Sequence, residues 1–325
     1  MCFFNHRRYS AEREARVREL EVQASRAAAA AERGDAPPPP PPRPAPTSQP
    51  RLDRDSLRAP LLDAIPEDVS DAVAQHPVQP WDELPPCVKT FLSKSVRDGR
   101  RFKLFTLLET GRMKLDTKGG WKQTEAVQRA CPLEPAFVWT ASASLAPLVS
   151  VKGCDSFVNG SGHCSWQLWG SVAAAAGGGP EVEQSLRVRW LAEAPCFPTA
   201  LQPSRFLRWE EVPGEPQQAE AVLSWGGAPV RATFTFDRWG RVARCSSHDF
   251  LRRLPDGSFE RGEWQVAYSG HMLFGLSPQG PVMQEEIATH AGVFVPTNVE
   301  AAWVLPDGSR WVYVQFTVSK VTASL

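Results

Sequence analysis

The sequence lacks three features that would directly assign a compartment or a partner. No stretch reaches the roughly 18 consecutive apolar residues that a membrane-spanning helix requires. The start, Met1-Cys2-Phe3-Phe4 followed by His6 and Arg7, does not contain the long apolar stretch of a secretory signal. The 36 basic residues balance 36 acidic ones, so no positive surplus is available to attract nucleic acid. We therefore predict a cytoplasmic protein with no transmembrane segment and no nucleic-acid partner; import into an organelle is the alternative.

Cysteine pairs at metal-ligand spacing are also absent. The 7 cysteines include no Cys-x-x-Cys pair, and the histidines form no His-x-x-x-His arrangement. Such a set indicates reduced thiols and not a disulfide framework or a zinc ribbon. Cys154, His163 and Cys164 are the nearest approach to a ligand set, but small buried thiols in an ordinary hairpin are the favoured interpretation. We predict neither a metal nor a cofactor.

Tryptophan is missing from the first 80 residues, which contain 13 of the 30 prolines. All 12 tryptophans occur from Trp81 onward, so the composition divides the chain into an extension and one folded domain. Residues 1–35 predict a charged helical tail, 36–60 a proline-rich linker, 61–80 a lead-in, and 81–325 a curved antiparallel β domain. The tail is either a solvated helix or a helix that binds a protein partner, and the polyproline segment is a second candidate for such a partner.

Period-two alternation of apolar residues recurs along the folded region and is typical of half-buried antiparallel strands. It is clearest in three runs: Val230, Ala232, Phe234 and Phe236; Phe137, Trp139, Ala141, Ala143 and Leu145; and Val312, Val314, Phe316 and Val318. In the last run, the alternation predicts Trp311, Tyr313 and Gln315 on the opposite face. Hairpin turns separate the runs, at Asn159-Gly160-Ser161-Gly162, Asp237-Arg238-Trp239-Gly240, Pro255-Asp256-Gly257-Ser258 and Pro306-Asp307-Gly308-Ser309.

One segment instead has the period of a helix. Pro180 follows three glycines at a helix start, and Val182, Leu186 and Trp190 recur at spacings of four. A second short helix is predicted from Pro86 to Ser95. The fold class is therefore mainly β: a strongly curved antiparallel meander sheet, or half-barrel, of about 8–11 strands that wraps one amphipathic helix. A disordered or helical N-terminal extension precedes it.

With these elements in order, the sequence resembles a family of uncharacterised, mostly bacterial proteins that share a domain of unknown function. The resemblance runs from about Leu84 to Val321. Its marks are Leu84-Pro85 with Val88, Gly111-Arg112-Met113, Trp121, Glu125, Pro135-Ala136-Phe137-Val138-Trp139, Asp155, Gly160-x-Gly162, Arg189-Trp190-Leu191-Ala192-Glu193, Phe197-Pro198-Thr199-Ala200-Leu201, Trp209-Glu210-Glu211 and Phe236-Asp237.

The resemblance implies a fold similar to the half-barrel of bacterial lipoprotein carriers, in which a sheet wraps a helix around a lipophilic cavity. It therefore implies ligand binding. This chain departs from the family at Cys196, where an aromatic residue is usual, and at Trp190, where tyrosine is usual. The first departure predicts a change in the shape of any pocket near residues 190–201.

The candidate site combines a charged pair with tryptophans. Arg189 and Glu193 lie one helical turn apart and are the candidate catalytic or head-group-binding residues; a structural salt bridge is the alternative. The candidate ligand-binding residues include Trp139, Trp166, Trp169, Trp190 and Trp209, because tryptophan offers both apolar area and an N–H donor. Asp155 is a further candidate, because it supplies a carboxylate. Glu210 and Glu211 are adjacent on a strand and cannot both face one cavity.

Three functions follow from these observations. The leading hypothesis is the binding of a lipophilic or aromatic small molecule in an apolar, tryptophan-lined cavity, for carriage or presentation. The second is an enzyme of the same fold that positions a hydrophobic small molecule with Arg189 and Glu193. The third is an interaction scaffold that acts through the N-terminal extension. Whether the protein is an enzyme is open at this level.

Overall fold

A computed structural model describes residues 77–96, 102–115, 119–146, 149–168, 172–254, 257–277, 280–281 and 292–324. The predicted tail, the linker and most of the lead-in lie outside these residues. The described helices are α1 (Pro86–Ser95) and α2 (Pro180–Glu193), with short 3-10 turns at Trp81–Glu83, Ala194–Cys196 and Pro198–Leu201. Both helices begin and end as the sequence predicts. Neither is long and apolar enough to cross a membrane.

Eighteen β-strands surround the helices in the described part of the chain. They are β1 (Leu104–Met113), β2 (Lys122–Cys131), β3 (Ala136–Ala146), β4 (Val149–Val158), β5 (Ser161–Leu168), β6 (Val172–Gly178), β7 (Leu207–Glu211), β8 (Gln218–Leu223), β9 (Val230–Phe236), β10 (Val242–Ser247), β11 (Leu251–Arg253), β12 (Phe259–Arg261), β13 (Trp264–Ser269), β14 (Met272–Ser277), β15 (Gly280–Pro281), β16 (Gly292–Val295), β17 (Asn298–Val304) and β18 (Arg310–Ser324).

Thirteen of these strands form one antiparallel sheet in the order β6-β5-β4-β3-β2-β1-β18-β17-β13-β10-β9-β8-β7. The first and last strands of the described residues, β1 and β18, pair in the middle of the sheet. The two edge strands, β6 and β7, are consecutive in the sequence, and α2 lies between them. The fold is therefore mainly β, and its main sheet curves around one main helix, as predicted. The two edge strands of this sheet do not pair with each other.

The described strands outnumber the predicted 8–11, because several of them give no alternation signal. Strand β6 reads Val-Ala-Ala-Ala-Ala-Gly-Gly, and β11, β12 and β15 are each two or three residues long. The short strands belong to a two-stranded sheet, β11–β12, and a three-stranded sheet, β15–β14–β16. These small sheets lie beside the main sheet and do not extend it.

Helix α2 is buried around most of its circumference, which corrects the prediction of an amphipathic helix. All eight residues from Ser185 to Ala192 are buried, including Arg187 and Arg189. The reason is that α2 contacts β4, β5 and β6 on one side and β8, β9 and β10 on the other. Arg187 is satisfied by donating to the carbonyl oxygens of Trp225 and Ala228, at 3.0 and 2.6 Å. A helix inside a curved sheet has little solvent-facing surface, so its polar side chains need internal partners.

Two bulges in the long strand β18 change which residues face the core. The register with β17 shifts so that Ala301 pairs with Val314 and Ala302 with Val312, which leaves Tyr313 as the extra residue. Tyr313 and Val314 are consequently both buried. A second shift, at Ser319, separates Val318 from Lys320 in the pairing with β1. Tyr313 is therefore inward, whereas uninterrupted alternation predicts it on the opposite face.

The edge strand β7 is paired with the segment that precedes α1. Gln79 donates from Nε2 to the carbonyl oxygen of Trp209 at 2.9 Å, and its Oε1 accepts from the Trp209 N–H at 2.8 Å. These bonds satisfy backbone groups that an edge strand leaves unpaired. The domain thus includes contacts made by residues that precede Trp81.

Candidate ligand-binding site

A cavity of about 50 Å³ lies between α2 and the central strands of the sheet. Aromatic rings from three strands and one connecting segment make up much of its wall, together with a smaller set of polar side chains. The lining residues are Glu109, Gln128, Trp139, Arg189, Glu193, Cys196, Phe250, Trp264, Val266, Val299, Ala301, Tyr313, Val314 and Phe316. An apolar wall with a few convergent polar groups is the usual composition of a small-molecule site.

Arg189 is the centre of a buried ion network next to the cavity. Its Nη1 donates to Asp155 Oδ2 and its Nε to Glu193 Oε1, each at 2.6 Å. The side chains of Arg189 and Asp155 are 6% and 0% exposed, against 21% for Glu193. The guanidinium also lies 4.9 Å from the centre of the Trp139 ring. Burial alone would lower the pKa of Arg189, but the charges of Glu193 and Asp155 outweigh burial and raise that pKa. The guanidinium group therefore stays protonated.

Glu109 brings a further carboxyl group to this network from strand β1. It is 9% exposed and accepts a hydrogen bond from Trp139 Nε1 at 2.9 Å. Burial and then the charge of Glu193 raise the pKa of Glu109 from 4.5 to about 7, although Trp139 and Arg189 act in the opposite direction. Its protonation state therefore changes near neutral pH.

Gln128, on β2, joins the network through Glu193. Its Nε2 donates to Glu193 Oε2 at 2.6 Å, and its side chain is almost entirely buried. Its Oε1 is buried and has no hydrogen-bond partner within the described residues. We call Glu109, Gln128, Asp155, Arg189 and Glu193 the polar cluster. Within it, Gln128 Oε1 is an acceptor available to a donor in the cavity.

Cys196 also lines the cavity, in the 3-10 turn that follows α2. Its Sγ lies 3.9 Å from the carbonyl oxygen of Pro296. Burial, and after it the charges of Glu109 and Glu193, raise the pKa of the thiol well above its ordinary value. The thiol is consequently protonated near neutral pH and a poor nucleophile. It contributes space and an apolar surface to the cavity wall.

The family of this domain is decided by a match that covers most of the chain. A model described as a family of unknown function, DUF6544, matches residues 77–316. The chain belongs to the DUF6544 family. The resemblance that the sequence motifs indicate is thereby confirmed, and the match begins at the first described residue.

No curated protein matches the chain. A crystal structure of an outer membrane lipoprotein-sorting protein domain from Vibrio parahaemolyticus matches with a TM-score of 0.36 and 6% sequence identity. The match covers 68% of the DUF6544 chain and 85% of the other chain.

The structure brings together some of the residues that the sequence nominates for the DUF6544 site. Arg189, Glu193 and Trp139 line the cavity, and Asp155 contacts Arg189 directly beside it. Trp166 lies against Trp139, with ring centres 6.1 Å apart, but does not line the cavity. Its ring covers Gly153, where a Cβ atom would lie 2.6 Å from the ring, so only glycine leaves it room.

Trp190 and Trp209 are buried away from the cavity. Trp190 donates from Nε1 to the Cys131 carbonyl oxygen, and Trp209 donates to the Leu201 carbonyl oxygen. Trp169 lies outside the described residues. As the strand alternation predicts, Glu210 and Glu211 do not share a cavity, and Glu210 pairs on the surface with Arg208 and Arg231.

The sequence did not identify Glu109, Gln128 and Tyr313 as residues of the candidate site. A sequence signal for the first two was present. Glu109 lies on the same face of β1 as the apolar residues Leu107 and Met113, and Gln128 lies on the same face of β2 as Ala126 and Ala130. A polar residue at an inward position of a strand is a candidate site residue. No such signal existed for Tyr313, because the bulge that turns it inward depends on its pairing with β17.

Replacing Glu109 with Gln should change how the stability of the domain depends on pH. The folded state binds the Glu109 proton more tightly than the unfolded chain, so this group's contribution is complete below about pH 4.5 and is lost as the pH rises through about 7. Glu109→Gln removes that loss. We expect the variant to match the wild type near pH 5 and to exceed it by on the order of 3 kcal/mol at pH 8, in urea unfolding.

Glu125→Gln is the matched control, because Glu125 is exposed on the neighbouring strand β2. Its pH profile should follow that of the wild type. Parallel profiles for the wild type and Glu109→Gln would contradict the assignment of a shifted carboxyl group.

Proposed function

We propose that the domain binds a small amphipathic molecule in the cavity between α2 and the sheet. The apolar part of the ligand contacts the rings of Trp139, Tyr313 and Phe316, and its polar group contacts the polar cluster. The observation that carries the proposal is the cavity itself, in which aromatic walls meet a hydrogen-bonding network with an unused acceptor. Packed interiors contain few voids larger than a water molecule, so such a space beside buried charges favours a ligand site.

The volume of the cavity sets the scale of the ligand. Each water-sized group needs roughly 10–15 Å³, so about 50 Å³ admits about four of them. This favours a small molecule, or the head and first carbons of a longer one. Arg189 acts as a positioning residue in this proposal, because its Nη1 and Nε already donate to Asp155 and Glu193.

Filling the cavity tests the proposal. Ala301 is buried on β17 and lines the cavity, so Ala301→Leu should remove the space that the ligand needs. We expect native mass spectrometry of the purified wild-type protein to show a bound small molecule, and the same measurement on Ala301→Leu to show at least about tenfold less of it. The melting temperature of the variant should be no lower than that of the wild type by more than a few degrees.

Ala267→Leu is the matched control, since Ala267 lies on the neighbouring strand β13 at a partly exposed position outside the cavity lining. It should retain the bound molecule. Equal occupancy in the wild type and Ala301→Leu would place any ligand elsewhere, and an empty wild-type protein would contradict ligand binding in this cavity.

A second candidate function is catalysis, and one observation favours it. A carboxyl group with a pKa of about 7 can donate or accept a proton near neutral pH, and Glu109 lines the cavity. The general acid or base would then be Glu109, while Arg189 and Glu193 position the substrate and Glu109. Chemical conversion of the recovered ligand by the wild type and not by Glu109→Gln would support this function; equal conversion by both would contradict it.

A further inference from the structure

Two side chains that line the cavity can accept further hydrogen bonds. Gln128 Oε1 is buried and without a partner in the described residues, and the carboxyl group of Glu109 accepts one hydrogen bond, from Trp139. A carboxylate has room for more than one donor. A ligand group that enters the cavity must therefore supply N–H or O–H donors if these acceptors are to be satisfied.

The polar cluster also contains more acidic side chains than basic ones. Arg189 is the one basic side chain among the described lining residues, and its Nη1 and Nε are already directed at Asp155 and Glu193. Once Glu109 is ionised, the cluster holds three carboxylates against one guanidinium. Buried charge without a counter-charge is costly, so a cationic ligand is the species that this cavity favours most.

The cavity walls suit a cation as well as an apolar chain. The rings of Trp139, Tyr313 and Phe316 line the cavity, and the guanidinium of Arg189 already lies over Trp139 at 4.9 Å. Aromatic faces attract cations through the ring quadrupole, most strongly when water is excluded. An anionic head group, by contrast, would meet Glu109 and Glu193 and would leave Gln128 Oε1 without a donor.

Building on the proposed function, we propose that the polar cluster recognises a primary ammonium group, so that the ligand is an apolar amine. The ammonium group has three donors and no acceptor, which matches Glu109 and Gln128 Oε1. Glu193 contributes charge from α2. This assignment specifies the class of ligand and the two residues, Glu109 and Gln128, that bind its head group.

Binding of the amine should be linked to release of a proton. The groups that face Glu109 are Glu193, Arg189 and Cys196 from α2 and the turn after it, and Trp139 from β3. An ammonium ion next to Glu109 stabilises the ionised carboxylate. Because the pKa of Glu109 is raised to about 7, binding below that pH displaces its proton, and the affinity rises with pH up to about 7 and then levels off.

The test compares three probes of equal chain length, n-hexylamine, n-hexanol and hexanoate, by calorimetric titration of the full-length protein. We expect n-hexylamine to bind at least about tenfold more tightly than either of the others. Glu109→Gln and Gln128→Leu should each weaken n-hexylamine binding by about tenfold or more, and each should weaken n-hexanol binding by less, because the alcohol carries no charge and only one donor. Titration at about pH 6 in two buffers of different ionisation enthalpy should show release of close to one proton by the wild type and none by Glu109→Gln.

The outcomes separate this inference from the proposed function. If n-hexanol or hexanoate binds as tightly as n-hexylamine, and Ala301→Leu abolishes that binding, the cavity is a ligand site but does not select ammonium. If no probe binds to the wild type, the ammonium proposal fails, and native mass spectrometry of the wild type decides the proposed function separately. If Ala301→Leu binds n-hexylamine normally, both proposals fail. Glu125→Gln is the control for a loss of negative charge outside the cavity, and it should bind n-hexylamine as the wild type does.

Discussion

Replacing Arg189 with Met should lower the free energy of unfolding by about 3–5 kcal/mol, as measured in urea at neutral pH. The substitution keeps a long side chain but leaves Asp155, which is 0% exposed, and Glu193 without their shared cation. A buried carboxylate without a partner loses the hydrogen bonds and the opposite charge that offset its desolvation.

Arg231→Met is the matched control for this substitution. Arg231 also pairs with two carboxylates, Glu210 and Glu220, but its side chain is 44% exposed. Surface pairs contribute little, so this variant should lose no more than about 1 kcal/mol. A triple variant, Arg189→Met with Asp155→Asn and Glu193→Gln, removes the opposing charges together and should recover much of the loss. Equal costs for Arg189→Met and Arg231→Met would contradict the structural importance of the buried network.

Replacing Trp190 with Ala should have an effect of similar size, about 3–5 kcal/mol. The ring of Trp190 is fully buried on α2, with the rings of Phe197 and Phe206 at 6.0 and 6.1 Å. The substitution leaves a void between the helix and the sheet and removes the only donor that Trp190 offers to the Cys131 carbonyl oxygen. Urea unfolding monitored by circular dichroism measures the loss.

Two further tryptophan variants separate the possible causes of the stability loss in Trp190→Ala. Trp190→Phe keeps an aromatic ring and removes the Nε1 donor, so it should cost less than Trp190→Ala, about 1–3 kcal/mol. Trp239→Ala removes a ring that is 50% exposed in the β9–β10 turn, and it should cost less than about 1 kcal/mol. A cost for Trp190→Ala as small as that for Trp239→Ala would mean that the helix does not depend on this ring.

The secondary structure could be predicted well where the signal is local. Pro180 and the spacing of Val182, Leu186 and Trp190 predicted the start and period of α2, and β9 shows the alternation of Val230, Ala232 and Phe234. The turn at Asn159 and Gly160 has positive φ angles of 52° and 76°, which suits a two-residue hairpin. These features depend on residues that are neighbours in the sequence.

The candidate site could be predicted only in part. The pairing of Arg189 with Glu193 follows from helical spacing, and Trp139 from the alternation of β3. Four other nominated residues, Trp166, Trp190, Trp209 and Asp155, do not line the cavity, because burial of a tryptophan or an acid does not indicate what it is buried against. These four residues therefore do not lie where they would contact a ligand in the cavity, although Asp155 accepts a hydrogen bond from Arg189.

The sequence alone determined that a tryptophan-rich, mainly β domain follows an extension without tryptophan, and that one helix interrupts its strands. Only the tertiary structure decided the pairing of β1 with β18, the bulge that turns Tyr313 inward, and the meeting of Glu109 with Glu193. The physical reason is that propensity and period are set by adjacent residues, whereas strand register, cavities and pKa values depend on groups that the fold brings together from distant parts of the chain.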